Sequence, residues 1–355
     1  MPPYAPQALL DFASALLTRA GLSVERARIV AEVLLEADLL GHTTHGLDML
    51  PRYLQELQDG GMAREGEPVI LQDRGCVVTW DGCRLPGPWL VTRAVAVARE
   101  RAEAHGIGAV VIRRSHHIGC LQAYLEPVAK DGLLVLLTCS DPSGAGVAPC
   151  GGTSSVLTPN PIAVGFPTSG DPVLIDVSMS TTTNAMIGRV REEGRELPGP
   201  WLIDADGRPS RDPAVLQGER PGATLPLGGM DLGHKGFALA LMVEALSSGL
   251  AGFGRADAPT EWGASVFLQV IDPAAFGGRD AFVRETSAVA ALCHASAVPP
   301  GKPPVRLPGE RALARRREQL RDGVVLYPTT MPALAVWAER LVVARPAPAP
   351  ERSSI

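Results

Sequence analysis

Apolar residues recur at three- and four-residue spacing through the first sixty positions of the chain. The segments PQALLDFASALLTRAGL (6–22) and VERARIVAEVLLEADLLG (24–41) show this spacing, and each ends near a glycine, as helices commonly do. Ser23 is a candidate N-cap for the second segment. Asp48 is predicted to cap a third helix, with Pro51 in its first turn, where proline is tolerated. The pattern predicts a helical N-terminal region.

From about Cys76, short apolar runs rich in β-branched residues alternate with helical patterns. The predicted strands are CVVTWDG (76–82), IGAVVIRR (107–114), GLLVLLTCS (132–140), PIAVGFPT (161–168), PVLIDVSMS (172–180) and SVFLQVID (265–272). The predicted helices are PWLVTRAVAVARERAEAHG (88–106), a segment near 121–131, and the long apolar GHKGFALALMVEALSSGLAG (233–252). This alternation indicates an α/β core.

Both ends of the chain are predicted to form one helical lobe. After Pro299 a proline-rich connector leads into two further helical patterns, the second being MPALAVWAERLVVA (331–344). We expect residues 1–75 and 300–345 to form this lobe, around a central α/β lobe of residues 76–299. Residues 346–355 contain too few apolar side chains to fold and are predicted to be disordered.

Composition and charge exclude several classes of function. The chain has 355 residues, 46% of them apolar and 20% charged, and its net charge of −5 is carried by scattered rather than clustered residues. Neither a nucleic-acid surface nor a membrane surface is expected from this distribution, and the apolar runs are too short for a membrane span. The first residues lack the features of a signal peptide, and the six cysteines include no C-x-x-C pair, so a cytoplasmic protein with reduced thiols is expected.

Polar loops follow three of the predicted strands. They are SHHIG (115–119), SDPSGAGVAPCGG (140–152) and SMSTTTNAM (178–186). One such loop alone is typical of an ordinary turn, but strand ends are where α/β proteins bind ligands, so three together predict a site. The G-x-G-x-x-G pattern of a classical dinucleotide site is absent.

The histidines could act as metal ligands or as proton carriers. His42, His45, His116 and His117 form no H-E-x-x-H pattern, so metal binding is not expected. His42 and His105 are expected to have structural roles. For His45, we predict that Thr44 orients the imidazole and that Gly46 leaves room for a substrate. The pKa of an imidazole suits proton transfer near neutral pH, so His45 is the candidate proton donor.

Six segments together resemble the malate/L-lactate dehydrogenase family that lacks the Rossmann fold. This family also includes ureidoglycolate, sulfolactate and diketogulonate oxidoreductases and cyclic imino-acid reductases. The segments are THGLDMLPRYL (44–54), SHHIG (115–119), SDPSGAGVAPCGGTSSVLTPNPIAVGFP (140–167), IDVSMS (175–180), KGFALALMVEALSS (235–248) and LPGERALARRR (307–317). The resemblance covers residues 6 to about 340 and implies the non-Rossmann α/β fold of that family.

The resemblance also implies hydride transfer between NAD or NADP and a small 2-oxo or 2-hydroxy acid. His45 would donate the proton, with Thr44 and His117 as its catalytic neighbours, and the central lobe would bind cofactor and substrate. By resemblance the cofactor contacts His117, Gly119, Leu121, Ser140, Val177, Ser178, Met179, Lys235, Gly236, Pro308, Gly309 and Glu310. Lys235 also precedes a long apolar helix pattern, where a cation suits anion binding. Members of the family are typically homodimers.

This chain departs from the family at the substrate end. Many members have an arginine four residues after the catalytic histidine, where this chain has Met49. Arg52, one helical turn further on, is the alternative partner for a substrate carboxylate. Met49, Arg52 and Asn160 are therefore the candidate substrate-binding residues. Thr44 replaces the usual serine, and the segment TTTNAMIGRV (181–190) lacks an acidic residue that some imine-reducing members carry.

Four functions follow from these observations. The first is an NAD(P)-dependent oxidoreductase acting on a 2-oxo/2-hydroxy acid, and the alternative within the same chemistry is a cyclic imino-acid reductase. A metal-dependent hydrolase using the four clustered histidines belongs to a different class. A paralogue that binds nucleotide without turnover is the fourth, motivated by Met49. No residue can be assigned to the cofactor ribose, so NAD and NADP both stay open.

Overall fold

Helices from both ends of the chain surround a central mixed sheet in the computed structural model, which describes residues 2–349. The α-helices in this range are α1 (Pro6–Arg19), α2 (Val24–Leu40), α3 (Leu50–Asp59), α4 (Gly87–His105), α5 (Leu125–Lys130), α6 (Asn184–Glu192), α7 (Gly229–Glu244), α8 (Arg279–His294), α9 (Glu310–Asp322) and α10 (Thr330–Leu341). The Ser23 hydroxyl accepts a hydrogen bond from the Arg26 N–H at 3.3 Å, as predicted for an N-cap.

The strands form a seven-stranded and a three-stranded sheet. They are β1 (Val69–Arg74), β2 (Val77–Asp81), β3 (Ile107–Ser115), β4 (Leu134–Ser140), β5 (Ile162–Phe166), β6 (Val173–Val177), β7 (Leu202–Ile203), β8 (Pro209–Ser210), β9 (Ala223–Thr224) and β10 (Ala264–Ile271). The large sheet has the order β1-β2-β3-β10-β4-β5-β6. The predicted α/β class is confirmed, and this order differs from that of a classical dinucleotide-binding sheet.

Strand β10 comes last in the sequence but lies at the centre of the large sheet. It pairs antiparallel with β3 on one side and with β4 on the other. The register places Ala264 opposite Ser115, and Ser265 opposite Ser140. The start of β10 therefore lies at the same sheet edge as the ends of β3 and β4. Because β6 runs parallel to β4 through the antiparallel β5, its end lies there too.

Two large apolar clusters hold the elements together. One lies under the sheet and is formed by the buried faces of α4, α5 and the central strands, with Ile112, Leu137 and Val266 fully buried. The other joins α1, α2 and α3 to the C-terminal segment, and includes Leu34 and Leu334. Helices from both chain ends thus share a core, which agrees with the two-lobe division. The division of the chain into lobes stays a prediction.

Some elements were not predicted from the sequence. Strand β1 lies inside the region expected to be helical, residues 1–75, yet pairs with β2 at the edge of the large sheet. Its side chains are almost all exposed, so it carries no apolar alternation. Helix α8 contains no buried residue, and its sequence shows no apolar face. Ala349, in the tail expected to be disordered, donates its N–H to the Pro3 carbonyl at 2.7 Å, while residues 350–355 lie outside the described range.

Candidate active site

A cavity lined by many of the predicted residues lies at the sheet edge where β3, β4 and β6 end and β10 begins. Its volume is about 540 Å³, a size typical of small-molecule sites. The predicted residues that line it are Thr44, His45, Met49, Arg52, His117, Gly119, Leu121, Ser140, Asn160 and Ser178. All three polar loops identified after strands contribute to this one cavity.

No helix in residues 2–349 has the length and apolar character needed to cross a membrane.

The turn after α2 carries His45 into the cavity. Helix α2 ends at Gly41 in the left-handed conformation, and the buried Asp38 accepts the Leu47 N–H at 2.7 Å. A Cβ on Gly46 would lie 2.3 Å from Asp38 Oδ2. Gly46 was predicted to make room for a substrate, but the structure shows that it makes room for this carboxylate. Burial raises the pKa of Asp38 to about 7.

Arg189 of α6 fixes the same turn from the other side. Its guanidinium donates to Thr43 Oγ1 at 2.9 Å, to the Thr43 carbonyl at 2.8 Å and to Asp48 Oδ2 at 2.8 Å. The Thr330 hydroxyl donates to the other Asp48 oxygen at 3.0 Å. Asp48 was predicted to cap α3, and that prediction is wrong: it lies in a short 3-10 turn, Leu47–Met49, and pairs with Arg189 instead.

His45 is partly buried, and its ring has one protein partner within residues 2–349. Thr44 Oγ1 and His45 Nδ1 are hydrogen bonded at 2.9 Å. Burial, with smaller contributions from the nearby His42 and Arg189, lowers the pKa of His45 to about 4. The ring is therefore neutral at neutral pH in the free protein. His42 itself hydrogen bonds Gln122 Oε1 through Nε2 at 2.8 Å.

His117 is anchored by groups that determine which ring nitrogen carries the proton. The Tyr53 hydroxyl lies 2.8 Å from Nδ1, and the Gly119 N–H donates to Nδ1 at 3.3 Å. Because a backbone N–H can only donate, Nδ1 is the acceptor, and the neutral ring carries its proton on Nε2. Burial lowers the pKa of His117 well below its usual value, and the charges of neighbouring rings add to the effect.

His116 has different hydrogen-bond surroundings from His117 and is enclosed by protein. It is 1% exposed, and its Nε2 lies 3.4 Å from Glu56 Oε2. The rings of Tyr53 and Trp262 pack edge-on against it. Burial lowers its pKa to about 3. His116 is not among the described residues that line the cavity.

Trp262, which the sequence analysis did not single out, forms one wall of the cavity. Its ring stacks on His117 with centroids 4.7 Å apart, and the Arg52 guanidinium lies over the Trp262 ring, 3.4 Å from its centroid. His45 in turn lies 5.9 Å from His117, with the two rings 28° from parallel. These four side chains form one continuous stack. Trp262 could have been found from its position just before a predicted strand. Only the sheet order, however, shows that this strand is β10, which begins beside the ends of β3 and β4.

Ser140 and Asn160 line the cavity but have protein partners. The Ser140 hydroxyl lies 2.9 Å from Ser248 Oγ and accepts from Ser247 Oγ at 3.1 Å. The Asn160 side chain is fully buried, donates to Ala240 and Glu244 in and beside α7, and accepts from Thr158. Its amide is thus occupied by the protein, which favours a structural contribution to the cavity wall.

The remaining predicted cofactor residues lie beyond the described lining of the cavity. They are Val177, Met179, Lys235, Gly236, Pro308, Gly309 and Glu310. Lys235 was expected near the start of a helix, but α7 begins six residues earlier, at Gly229, so the dipole argument does not apply to it. The Leu227 N–H donates to the Met179 carbonyl at 2.9 Å and the Gly236 N–H to the Leu227 carbonyl at 3.2 Å. The chain around Lys235 therefore lies beside the end of β6.

Acidic groups also reach the cavity. Asp141 is hydrogen bonded by Ser143, and the buried Asp176 accepts the Gln122 N–H at 2.9 Å; burial raises the pKa of both carboxyls. Within residues 2–349, His42, Cys120 and Asp176 place one possible metal-ligand atom each within 4.8 Å of one another. This set differs from the four histidines considered for a hydrolase, and its members already hydrogen bond protein groups.

Comparison with known proteins places this geometry in a family. The sequence profile of the malate/L-lactate dehydrogenase family matches residues 4–335, and the chain belongs to that family. The chain is 33% identical over 327 residues to hydroxycarboxylate dehydrogenase B of Escherichia coli O157:H7, covering 90% of this chain and 89% of the relative. The resemblance identified from the six segments is confirmed, and with it the classification as an oxidoreductase.

Two solved structures share the whole fold. The malate dehydrogenase of Pyrococcus horikoshii OT3 superposes with a TM-score of 0.87 at 27% identity, covering 97% of this chain and 96% of that one. The delta1-piperideine-2-carboxylate reductase of Pseudomonas syringae superposes with a TM-score of 0.82 at 30% identity, covering 95% of this chain and all of that one. Relatives thus include both hydroxy-acid dehydrogenases and a cyclic imino-acid reductase.

Proposed function

We propose that this protein transfers a hydride between a nicotinamide cofactor and a small 2-oxo or 2-hydroxy acid, with His45 exchanging the proton. The observation that carries the proposal is the stack of His45, His117, Trp262 and Arg52 along one cavity. It brings two imidazoles beside a guanidinium, so a proton carrier and a partner for a carboxylate face the same space.

His45 is neutral in the free protein and can accept a proton from a hydroxyl group. In the opposite direction it must first become protonated. A substrate carboxylate and the negative charge that develops on the substrate oxygen both favour the protonated ring. Thr44, bonded to Nδ1, holds the imidazole in one orientation. The substrate itself thus makes His45 a better proton donor than the free protein suggests.

His117 acts as a hydrogen-bond donor in this proposal. Its proton lies on Nε2, because Nδ1 accepts from Gly119. A neutral imidazole with its proton on a defined nitrogen can donate to a carbonyl oxygen without transferring the proton. The Tyr53 hydroxyl, which is hydrogen bonded to His117 Nδ1, restrains the ring. The two histidines therefore have different tasks: His45 moves a proton and His117 positions an oxygen.

The nicotinamide cofactor implied by family membership fits the residues at this sheet edge. His117, Gly119, Leu121 and Ser140 line the cavity, and Ser178 continues the lining to the end of β6. The Pro308 carbonyl accepts the Leu174 N–H at 3.0 Å, so the loop 308–310 rests on the same strand. When bound, the cofactor would supply or accept the hydride. The same part of the sheet edge is flanked by four further predicted cofactor residues, Val177, Met179, Lys235 and Gly236. Both NAD and NADP are candidate cofactors, and both are tested.

We also propose a homodimer, formed through the exposed apolar residues of α7. Met230, Leu232, Leu239, Leu241 and Met242 are all exposed on this helix. Exposed apolar side chains in this number on one helix are typical of interfaces between subunits. Sedimentation of the wild type beside Leu241→Lys tests the dimer: the variant should sediment as a smaller species.

A cytoplasmic location is proposed because all six cysteines are free thiols.

The function is tested by following reduced-nicotinamide absorbance with NADH and NADPH separately, against a panel of 2-oxo acids and cyclic imines. Turnover is expected with at least one pair. His45→Ala should reduce kcat/KM by ~10²-fold or more, because a positioned proton donor contributes about that much. Full activity in His45→Ala would remove the proposed role. Well-folded wild type that binds cofactor without turnover on any substrate would support a non-catalytic paralogue.

A cyclic imino-acid reductase is the second candidate function. Two observations favour it. A reductase of this kind shares the fold at 30% identity. Asp141 and Asp176 line the same cavity as Arg52, and a cyclic iminium carboxylate carries both a positive nitrogen and a carboxylate. The imines in the same panel decide between the two candidates.

A further inference from the structure

The charged side chains lining the cavity are unequal in number. Arg52 is the one cation among the described lining residues, whereas Asp141 and Asp176 supply two carboxyl groups. Burial lowers the pKa of His45 and His117, so both rings are uncharged at neutral pH. The cavity therefore offers one permanent positive charge, that of Arg52, which can neutralise one negative group on a substrate.

Arg52 is held in a fixed plane and is available to a ligand. Its guanidinium lies 3.4 Å from the centroid of the Trp262 ring. It forms no ion pair with any residue in the range 2–349. A stacked guanidinium keeps the N–H groups at its edge free, and their fork matches a carboxylate. Trp262 is itself held by stacking on the His117 ring.

The wall beside Arg52 is apolar. Met49 and Trp262 both line the cavity and pack against the core cluster of the helical region. A second carboxylate on a substrate would meet neutral polar groups such as Asn184, but no second permanent cation among the described lining residues, and it would share the cavity with the carboxyl groups of Asp141 and Asp176. Removing a charged group from water without a partner is costly, and like charges add to the cost. An aliphatic or ring group in the same position would instead bury apolar surface.

We propose that the cavity selects substrates with a single carboxylate and an apolar or cyclic side group, and that Trp262 is the specificity-determining residue. The substrate class is then 2-oxo monocarboxylates, their 2-hydroxy counterparts or cyclic imino acids, with dicarboxylates disfavoured. This inference rests on the proposed function for its reaction but concerns the choice of substrate. Trp262 acts twice: it fixes the plane of Arg52 for the carboxylate and forms the apolar wall for the side group.

The test compares 4-methyl-2-oxopentanoate with oxaloacetate, in which a carboxylate replaces an isopropyl group of nearly equal size. The ratio of kcat/KM should favour the monocarboxylate by ~10²-fold, because an unpaired buried charge costs about that much binding. The same acids are titrated calorimetrically with and without oxidised cofactor, so affinity decides the question even if turnover is absent. Equal or stronger binding of oxaloacetate overturns the inference while leaving the proposed function intact.

Variants assign the preference to individual residues. Trp262→Leu should raise KM for the monocarboxylate ~10-fold by releasing Arg52, whereas Trp262→Phe, which keeps a stacking ring, should recover most of the loss. Met49→Arg adds a second cation and should shift the ratio towards oxaloacetate by ~10-fold or more, with Met49→Leu as the matched control that keeps the ratio. An unchanged KM in Trp262→Leu together with an unchanged ratio in Met49→Arg would show that the choice of substrate is made elsewhere.

Discussion

His45 and His116 both have lowered pKa values, but His45 is partly buried at the cavity, whereas His116 is buried away from it. Burial lowers the pKa of His45 to about 4 and that of His116 to about 3. His45 lines the cavity, while His116 is enclosed by Tyr53, Trp262 and Glu56. A perturbed pKa therefore does not by itself distinguish a candidate catalyst from a core residue. Access to a cavity beside other functional groups makes the distinction.

The first prediction compares the same substitution at the two positions. His45→Gln should lower kcat/KM by about 10²–10⁴-fold, because proton transfer in the transition state is lost. His116→Gln should change kcat/KM by less than about 10-fold, since its ring does not reach the cavity. Steady-state kinetics of both variants check this, with circular dichroism to confirm folding. Comparable losses in the two variants would mean that His116 takes part in the reaction.

The second prediction concerns pH. His45 must be protonated for reduction and neutral for oxidation, and kcat/KM reports the pKa values of the free enzyme. Above a pKa of about 4, kcat/KM for reduction should fall by about tenfold per pH unit. That for oxidation should be constant from about pH 5 upwards. Profiles for both directions between pH 5 and 8 check this, and a flat reduction profile would require another proton donor.

The third prediction concerns the anchor of His117. Tyr53→Phe keeps the buried ring but removes the hydroxyl that lies 2.8 Å from Nδ1. The neutral His117 then has less restraint, and kcat should fall by about 10-fold, a loss of roughly 1.4 kcal/mol of transition-state stabilisation. The change should appear in kcat more than in KM. If kcat is unaffected, the backbone N–H of Gly119 is sufficient to orient the ring.

The smallest expected effect is on stability. The pKa of His116 is lower in the folded protein than in the unfolded chain, so the unfolded state binds more protons between about pH 3 and 6.5. The contribution of the neutral His116 ring to the free energy of unfolding is fully present above pH 6.5 and is lost on acidification. Relative to wild type, His116→Gln should therefore lose less stability at pH 5 than at pH 7, by about 1 kcal/mol or more. Urea unfolding at both values measures the difference, and an equal loss at both would contradict it.

The sequence was most informative where function leaves a local pattern. The alternating runs predicted β3, β4 and β10, and the ordered segments identified the family. By contrast, β1 has an exposed edge position and α8 no buried residue, so neither shows the periodicity on which a prediction depends. Local patterns follow burial, and these elements bury too little.

The candidate site was only partly accessible from sequence for a different reason. His45 and His117 stand in recognisable motifs, whereas Trp262 reaches them because β10 lies between β3 and β4. Likewise, the pairing of Arg189 with Asp48 joins residues 141 positions apart. Capping rules for a single helix could not anticipate that Asp48 would have this partner. Contacts of such long range depend on the complete topology.

The central position of β10 also has a consequence for how the protein is made. Strands β3 and β4 are each paired with β10, which begins only at Ala264. A ribosome adding about 5–20 residues per second needs roughly ten seconds to travel from the end of β4 to the end of β10. During this interval the facing edges of β3 and β4 lack their native partner, a state that invites pairing with other chains. The candidate active-site cavity is completed only when β10, the last strand in residues 2–349, is inserted.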